Sequence, residues 1–153
     1  MKRRCAPVRA AARVQGDAAH PELHGMVTFT QTERGVLVDA KVCGLPCGGK
    51  EDTGIFAFHI HEGDSCTGNQ QDPFANARGH YNPRRMPHPH HAGDLPPLFG
   101  NHGYGSMSVL TDRFTVREIL GRVVIIHANP DDFVTQPSGN AGNKIACGKI
   151  FAR

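Results

Sequence analysis

Hydrophobic and polar residues alternate in short runs along most of the chain. Between Met26 and Gln31, Val27 and Phe29 alternate with Thr28 and Thr30. Successive side chains of a strand point to opposite faces, so this pattern predicts a half-buried β-strand. Comparable runs occupy Val8 to Val14, Val36 to Val42, Ile55 to His61, Ser106 to Thr111, Arg122 to Ala128 and Lys144 to Phe151. A turn at Arg34-Gly35 separates the second run from the third. No long stretch carries a helical period, and Val116 to Leu120 reads as one helical turn or an edge strand. The pattern predicts an all-β antiparallel sandwich or barrel. It shows no internal repeat and no domain boundary, so residues 1–153 are expected to form one domain, with 1–5 a flexible N-terminus.

Two long segments interrupt the strands, one from Glu62 to about Gly105 and one from Asn129 to Asn143. Both are rich in Gly, Pro, Asn and Asp. Long connections of this kind are usually functional or disordered. Six of the ten histidines lie from His59 to His91, and His102 follows shortly after. That concentration favours function, and metal chemistry in particular.

Composition narrows the partners. The formal net charge is +3 and the pI about 8.7, compatible with a small anionic substrate and too scattered for nucleic acid. No stretch reaches transmembrane length, so no membrane partner is expected. The basic opening MKRRCAPVRA is followed by no apolar run of signal-peptide length, which predicts a cytoplasmic protein, or a secreted one if a leader has been removed. The five cysteines are Cys5, Cys43, Cys47, Cys66 and Cys147, an odd number that leaves at least one thiol free or paired between chains. Cys43 and Cys47 read as loop thiols rather than as a metal site.

The chemistry-bearing residues come in three pieces. In Phe56-Ala57-Phe58-His59-Ile60-His61 the alternation puts His59 and His61 on one face with Ala57, and the larger apolar residues on the other. Two imidazoles at i and i+2 can chelate one metal. A second piece runs from Gly79-His80-Tyr81-Asn82-Pro83 to Met86-Pro87-His88-Pro89-His90-His91-Ala92-Gly93-Asp94. Three histidines and an aspartate can close a tetrahedral zinc site, and the prolines stiffen the loop that carries them. The third is Val123-Val124-Ile125-Ile126-His127, an apolar strand that ends in a histidine. Each piece alone has an ordinary reading, as exposed strand histidines, a loosely metal-binding loop or a core histidine.

Taken together, the H-x-H strand, G-H-Y-N-P, H-A-G-D-L, V-I-I-H and P-S-G-N-A-G-N-K-I-A-C-G resemble the copper/zinc superoxide dismutase family, in order and spacing, over about residues 24 to 151. The resemblance implies a Greek-key barrel of about eight strands with two long functional loops. It implies one copper held by His59, His61, His80 and His127, and one zinc held by His80, His88, His91 and Asp94. His80 would bridge the metals, and Asp131 would be the carboxylate linking the two sites from behind their ligands. Cys66 and Cys147 match the family's disulfide. Lys144 stands where the family usually has an arginine beside copper. The implied reaction disproportionates superoxide to dioxygen and hydrogen peroxide, with His80 leaving reduced copper and carrying a proton. A homodimer and a copper chaperone are partners the family also brings into view.

The chain departs from the family pattern in four places, one of them an enlarged connection, Cys43-Gly-Leu-Pro-Cys47 and the following Gly-Gly-Lys-Glu-Asp, before the H-x-H strand. Only Pro89 and His90 separate His88 from His91, a short zinc loop that leaves His90 as an alternative ligand to His88. Lys144 keeps the charge of the usual arginine and loses its planar fork, which predicts weaker anion affinity. The segment from Asn129 to Asn143 has no Lys or Arg to steer an anion. A metal-binding homologue without turnover, a carrier or degenerate relative, is the alternative function. A β-sandwich interaction domain with incidental histidines is a third.

Overall fold

The computed structural model describes residues 7–48 and 52–153. The expected flexible segment 1–5 and Cys5 lie outside these residues, as does part of the connection before the H-x-H strand. Among the described residues eight strands form the fold: β1 (Arg9–Gly16), β2 (His24–Thr32), β3 (Gly35–Cys43), β4 (Ile55–His61), β5 (Asp94–Asn101), β6 (Tyr104–Thr111), β7 (Val123–His127) and β8 (Lys144–Ala152). They pair antiparallel in the order β1-β2-β3-β6-β5-β4-β7-β8 and close into a barrel. The stretch β7-β4-β5-β6 is a Greek key, three consecutive strands with the fourth returning beside the first.

Alternation explains the barrel wall. Ala10, Ala12 and Val14 of β1, Val27 and Phe29 of β2, and Val36, Val38, Ala40 and Val42 of β3 are all buried inside. Arg13 and Lys41 on the same strands are exposed. Each fully buried aliphatic or aromatic side chain favours the folded state by about 1.5–3 kcal/mol.

One strand was not expected. β5 lies within the segment read as a loop from Glu62 to Gly105, because Pro96 and Pro97 lack the N–H that a ladder uses. Here β4 pairs through Phe56↔Leu98 and Phe58↔Leu95, and the register shift between those pairs accommodates the two prolines. The doubtful segment after β6 is a single helical turn, α1 (Val116–Ile119). Thr115 and Glu118 form a capping box at its start, and Val116 and Ile119 are buried.

Strands β4 and β7 are buried on both faces, as is Ile145 to Gly148 of β8. Phe56, Phe58 and Ile60 of β4 and Val124 and Ile126 of β7 point into the barrel. Val123 and Ile125 instead pack outside it, with Phe74, Ala77 and the Cys66–Cys147 pair. The long segment after β4 thus covers the outer face of β7. A disulfide between Cys66 and Cys147, with Cα atoms 5.7 Å apart across 81 positions, ties that cover to β8. His59 and His61 on β4, and His127 on β7, lie on this same outer face, between barrel and loops.

Candidate metal centre

Strand register brings the first histidines together. His59 stands opposite Ile125 and His61 opposite Val123, so β4 presents both imidazoles beside the end of β7. His80 arrives from the loop by a bridge to His61. The donor atoms of His59, His61, His80 and His127 lie within 4.8 Å of one another, and so do those of His80, His88, His91 and Asp94. His80 belongs to both groups. His90 belongs to neither and is exposed, whereas His88 is buried, so the short loop leaves His88 on the inside.

Backbone and carboxylate partners set which ring nitrogen of each histidine faces inward. His61 Nδ1 donates to the Arg78 carbonyl at 2.7 Å, and His127 Nδ1 donates to the Gly142 carbonyl at 3.2 Å. Their Nε2 atoms are then bare acceptors, yet they face each other at 3.2 Å. His59 Nε2 donates to Asp131 Oδ2 at 2.7 Å and His88 Nε2 to Asp131 Oδ1 at 2.8 Å. Among the described residues, buried His59 Nδ1, His80 Nε2 and His88 Nδ1 make no hydrogen bond; Asp94 Oδ2 lies 3.1 Å from the last without the geometry of one. Buried polar atoms normally find partners, and opposed lone pairs repel. A cation at each focus removes both costs. Ligands ~2.0–2.1 Å from zinc in a tetrahedron lie ~3.4 Å apart. The 3.2 Å between the Nε2 atoms of His61 and His127 is close to that edge, as is the 3.2 Å between Nδ1 of His80 and Nδ1 of His91.

Asp94 serves the second group. Its Oδ1 is 2.8 Å from His80 Nδ1, and its Oδ2 lies 3.1 Å from His88 Nδ1 and 3.4 Å from His91 Nδ1. The Oδ2 atom also accepts the His91 backbone N–H at 3.0 Å. Ionisation of six of these groups suits ligation. Burial lowers the His59 pKa to about 4 and that of His127 to about 3, and holds His61 well below the ordinary imidazole range. Burial also lowers His91. These rings are neutral at pH 7, as metal ligands must be. Burial by itself would raise the carboxyls of Asp94 and Asp131. Hydrogen bonds from His80 to the first, and from His59 and His88 to the second, keep both below the usual carboxylate range.

The first group opens to solvent. His61, His80 and His127 line a cavity of about 980 Å³, together with Lys144, Arg78, Arg85 and Asp72. The Lys144 ammonium is paired with the Asp72 carboxylate, a contact that sequence reasoning missed. It also missed Arg113 and Gln136, which bond the backbone around His88 and His91. None of the three belongs to a motif, and each is brought in by a different loop.

Fold and site together define a metalloprotein that carries a two-metal, histidine-rich centre on the outside of a Greek-key barrel. Residues 23–150 match the family described as copper/zinc superoxide dismutase (SODC), and the chain belongs to that family. It is similar to Superoxide dismutase [Cu-Zn] 2 of Aquifex aeolicus, 34% identical over 144 residues, covering 84% of this chain and 80% of that one. Superoxide dismutase [Cu-Zn] of Legionella pneumophila is 36% identical over 138 residues, 85% of this chain and 79% of its own. Among solved structures, a double mutant of a SOD-like protein from Bacillus subtilis superposes with a TM-score of 0.71 at 29% identity, covering 90% of this chain and 94% of that one. Membership makes this chain an enzyme of the copper/zinc superoxide dismutase type. Its two histidine-rich groups fit copper and zinc as cofactors, and the family's substrate is superoxide.

Proposed function

We propose that residues 1–153 act as one domain that disproportionates superoxide, two superoxide ions and two protons yielding dioxygen and hydrogen peroxide. Copper would be held by His59 through Nδ1 and by His61, His80 and His127 through Nε2. Zinc would be held by Nδ1 of His80, His88 and His91 and by the Asp94 carboxylate. The observation that carries this assignment is the set of inward ring nitrogens, bare or facing one another, while the outer nitrogens of His59, His61, His88 and His127 are engaged by carbonyls or by Asp131. When bound, copper supplies one-electron redox chemistry, and zinc supplies a fixed, redox-inert charge.

The protein's own groups do the rest. Asp131 and the two carbonyls fix the tautomers of their histidines and hold the rings in orientation. His80 belongs to both groups, and its Nε2, on the side that lines the cavity, would be the atom placed to hold a proton there and give it up. Lys144 sits on the cavity wall, where a cation draws in and orients a small anion. Asp72 damps that charge.

An open cavity at the first group favours turnover over the alternative of a metal carrier or degenerate relative, which would bury or block its copper. Assembly into a homodimer, copper delivery by a chaperone and cytoplasmic residence are part of the same reading. No helix among the described residues is long and apolar enough to cross a membrane. The test is elemental analysis after reconstitution, paired with a superoxide-disproportionation assay on the same sample. One copper and one zinc per chain with fast turnover is the expected result. Stoichiometric copper without turnover would move the case to a carrier or degenerate relative, and copper with turnover but no zinc would reject the zinc ligands.

A further inference from the structure

The loop that carries His88 and His91 is poor in its own hydrogen bonds. Pro83, Pro87 and Pro89 have no N–H to donate, so carbonyls outnumber donors along it. Its backbone bonds from Asn82 to His91 are local ones, such as Arg85 N–H to Asn82 and His90 N–H to Pro87. Two side chains from elsewhere supply what is missing. Arg113, between β6 and α1, aims Nη1 at three loop carbonyls: Pro89 at 3.0 Å, His91 at 3.3 Å and, more weakly, Asp94 at 3.5 Å. A guanidinium has five donors and no acceptor, which suits a cluster of carbonyls. From the opposite side, Gln136 accepts the His88 N–H at 2.9 Å through Oε1 and donates to the His88 carbonyl at 2.7 Å through Nε2.

We propose that Arg113 and Gln136 are positioning residues that preorder the short zinc loop, so that His88, His91 and Asp94 meet zinc in nearly their final geometry. The inference rests on the zinc assignment above. Each of the three ligands unique to zinc has its backbone bonded by one of the two side chains. Neither side chain bonds any of the copper-group residues His59, His61 or His127. The effect is therefore selective: losing a clamp weakens zinc and spares copper. A pair of clamps also accounts for how a loop with only Pro89 and His90 between two ligands keeps His88 buried.

The test measures zinc affinity of the full-length apoprotein by competition with a chromophoric chelator, and copper affinity in parallel, for the wild type and for Arg113→Ala and Gln136→Ala. Losing an outer partner of a metal ligand typically weakens metal binding by about 10–100-fold. A loss of that size for zinc, with copper affinity unchanged, is expected in both variants. Arg113→Lys, which keeps the charge but cannot span several carbonyls, is expected between wild type and Arg113→Ala. Gln136→Glu keeps the acceptor for the His88 N–H and loses the donor, and it too should be intermediate. Cobalt(II) absorption at the zinc site should change shape in the alanine variants, because the ligand geometry relaxes. Zinc affinities equal to wild type, or equal losses of copper and zinc, would overturn the clamp while leaving the zinc assignment standing. Wild-type chain that binds copper and no zinc would overturn both.

Discussion

Asp131 accepts a hydrogen bond from His59 Nε2 through one carboxylate oxygen and from His88 Nε2 through the other, at 2.7 and 2.8 Å. One buried carboxylate thus sets the tautomer of a histidine in each of the two groups. Asp131→Asn keeps the shape and replaces one acceptor by a donor, which cannot face an imidazole N–H. Affinity should fall by about 10–100-fold at the group whose histidine meets the amide nitrogen. Parallel copper and zinc titrations check this, and unchanged affinity for both metals would remove Asp131 from the role.

Gly139 shields the same bridge. Its φ is +70°, and a Cβ built there would lie 2.0 Å from Asp131 Oδ1 and 2.7 Å from His88 Nε2. Gly139→Ala therefore has to displace the bridge as well as strain the backbone. It is expected to lose metal affinity in the manner of Asp131→Asn and to lower stability by about 1–3 kcal/mol. Thermal unfolding of the apoprotein separates the second effect from the first.

Lys144 and Asp72 set opposing charges at the cavity mouth. Lys144→Ala should lower kcat/KM and flatten its dependence on ionic strength. Asp72→Asn should raise kcat/KM at low salt and steepen that dependence, because the ammonium then acts uncompensated. If Asp72→Asn slows the enzyme instead, the carboxylate serves to place Lys144 rather than to damp it.

Acid should destabilise the apoprotein. Burial holds His59 near pKa 4 and His127 near 3 in the folded chain, against 6.5 when unfolded. Below pH 6.5 the unfolded chain binds more protons, so stability falls with pH through the window down to those folded values. The slope is at most about 1.4 kcal/mol per pH unit for each histidine. Asp94 and Asp131, held below the usual carboxylate range, continue the loss at lower pH. Denaturant titrations of the apoprotein at pH 7, 5.5 and 4.5 measure this directly, and a flat profile would contradict the burial of these rings.

The Cys66–Cys147 bond closes a span of 81 positions and secures the cover over β7. Cys66→Ser should lower stability by about 4 kcal/mol in the chain-entropy picture. It should also loosen the segment that carries Asp72, which hydrogen exchange across residues 66–78 would register. Equal exchange in both forms would show that packing of Phe74 and Ala77 alone holds the cover.

Local pattern was enough for most strands and for the ligand-bearing pieces. Alternation in Val36 to Val42 or Phe56 to His61 reflects a barrel wall with one apolar face, and a pair of histidines two apart on a strand must share a side. The residues that cluster into the two groups were legible because H-x-H, G-H-Y-N-P, H-A-G-D-L and V-I-I-H keep characteristic types at characteristic spacings. Strand β5 was hidden because Pro96 and Pro97 break the local signal, and only its pairing with β4 around a register shift accommodates them. That His88 turns inward and His90 outward needed the fold, since one residue of a short loop can turn inward only when its neighbours are held. Asp72, Arg113 and Gln136 were beyond sequence reading for the same reason. A single polar side chain in a loop has no periodicity, and its partner is set by which loops the closed barrel brings to one face. Residue types and order determined the fold class and the chemistry, while tertiary packing decided which polar groups hold that chemistry in place.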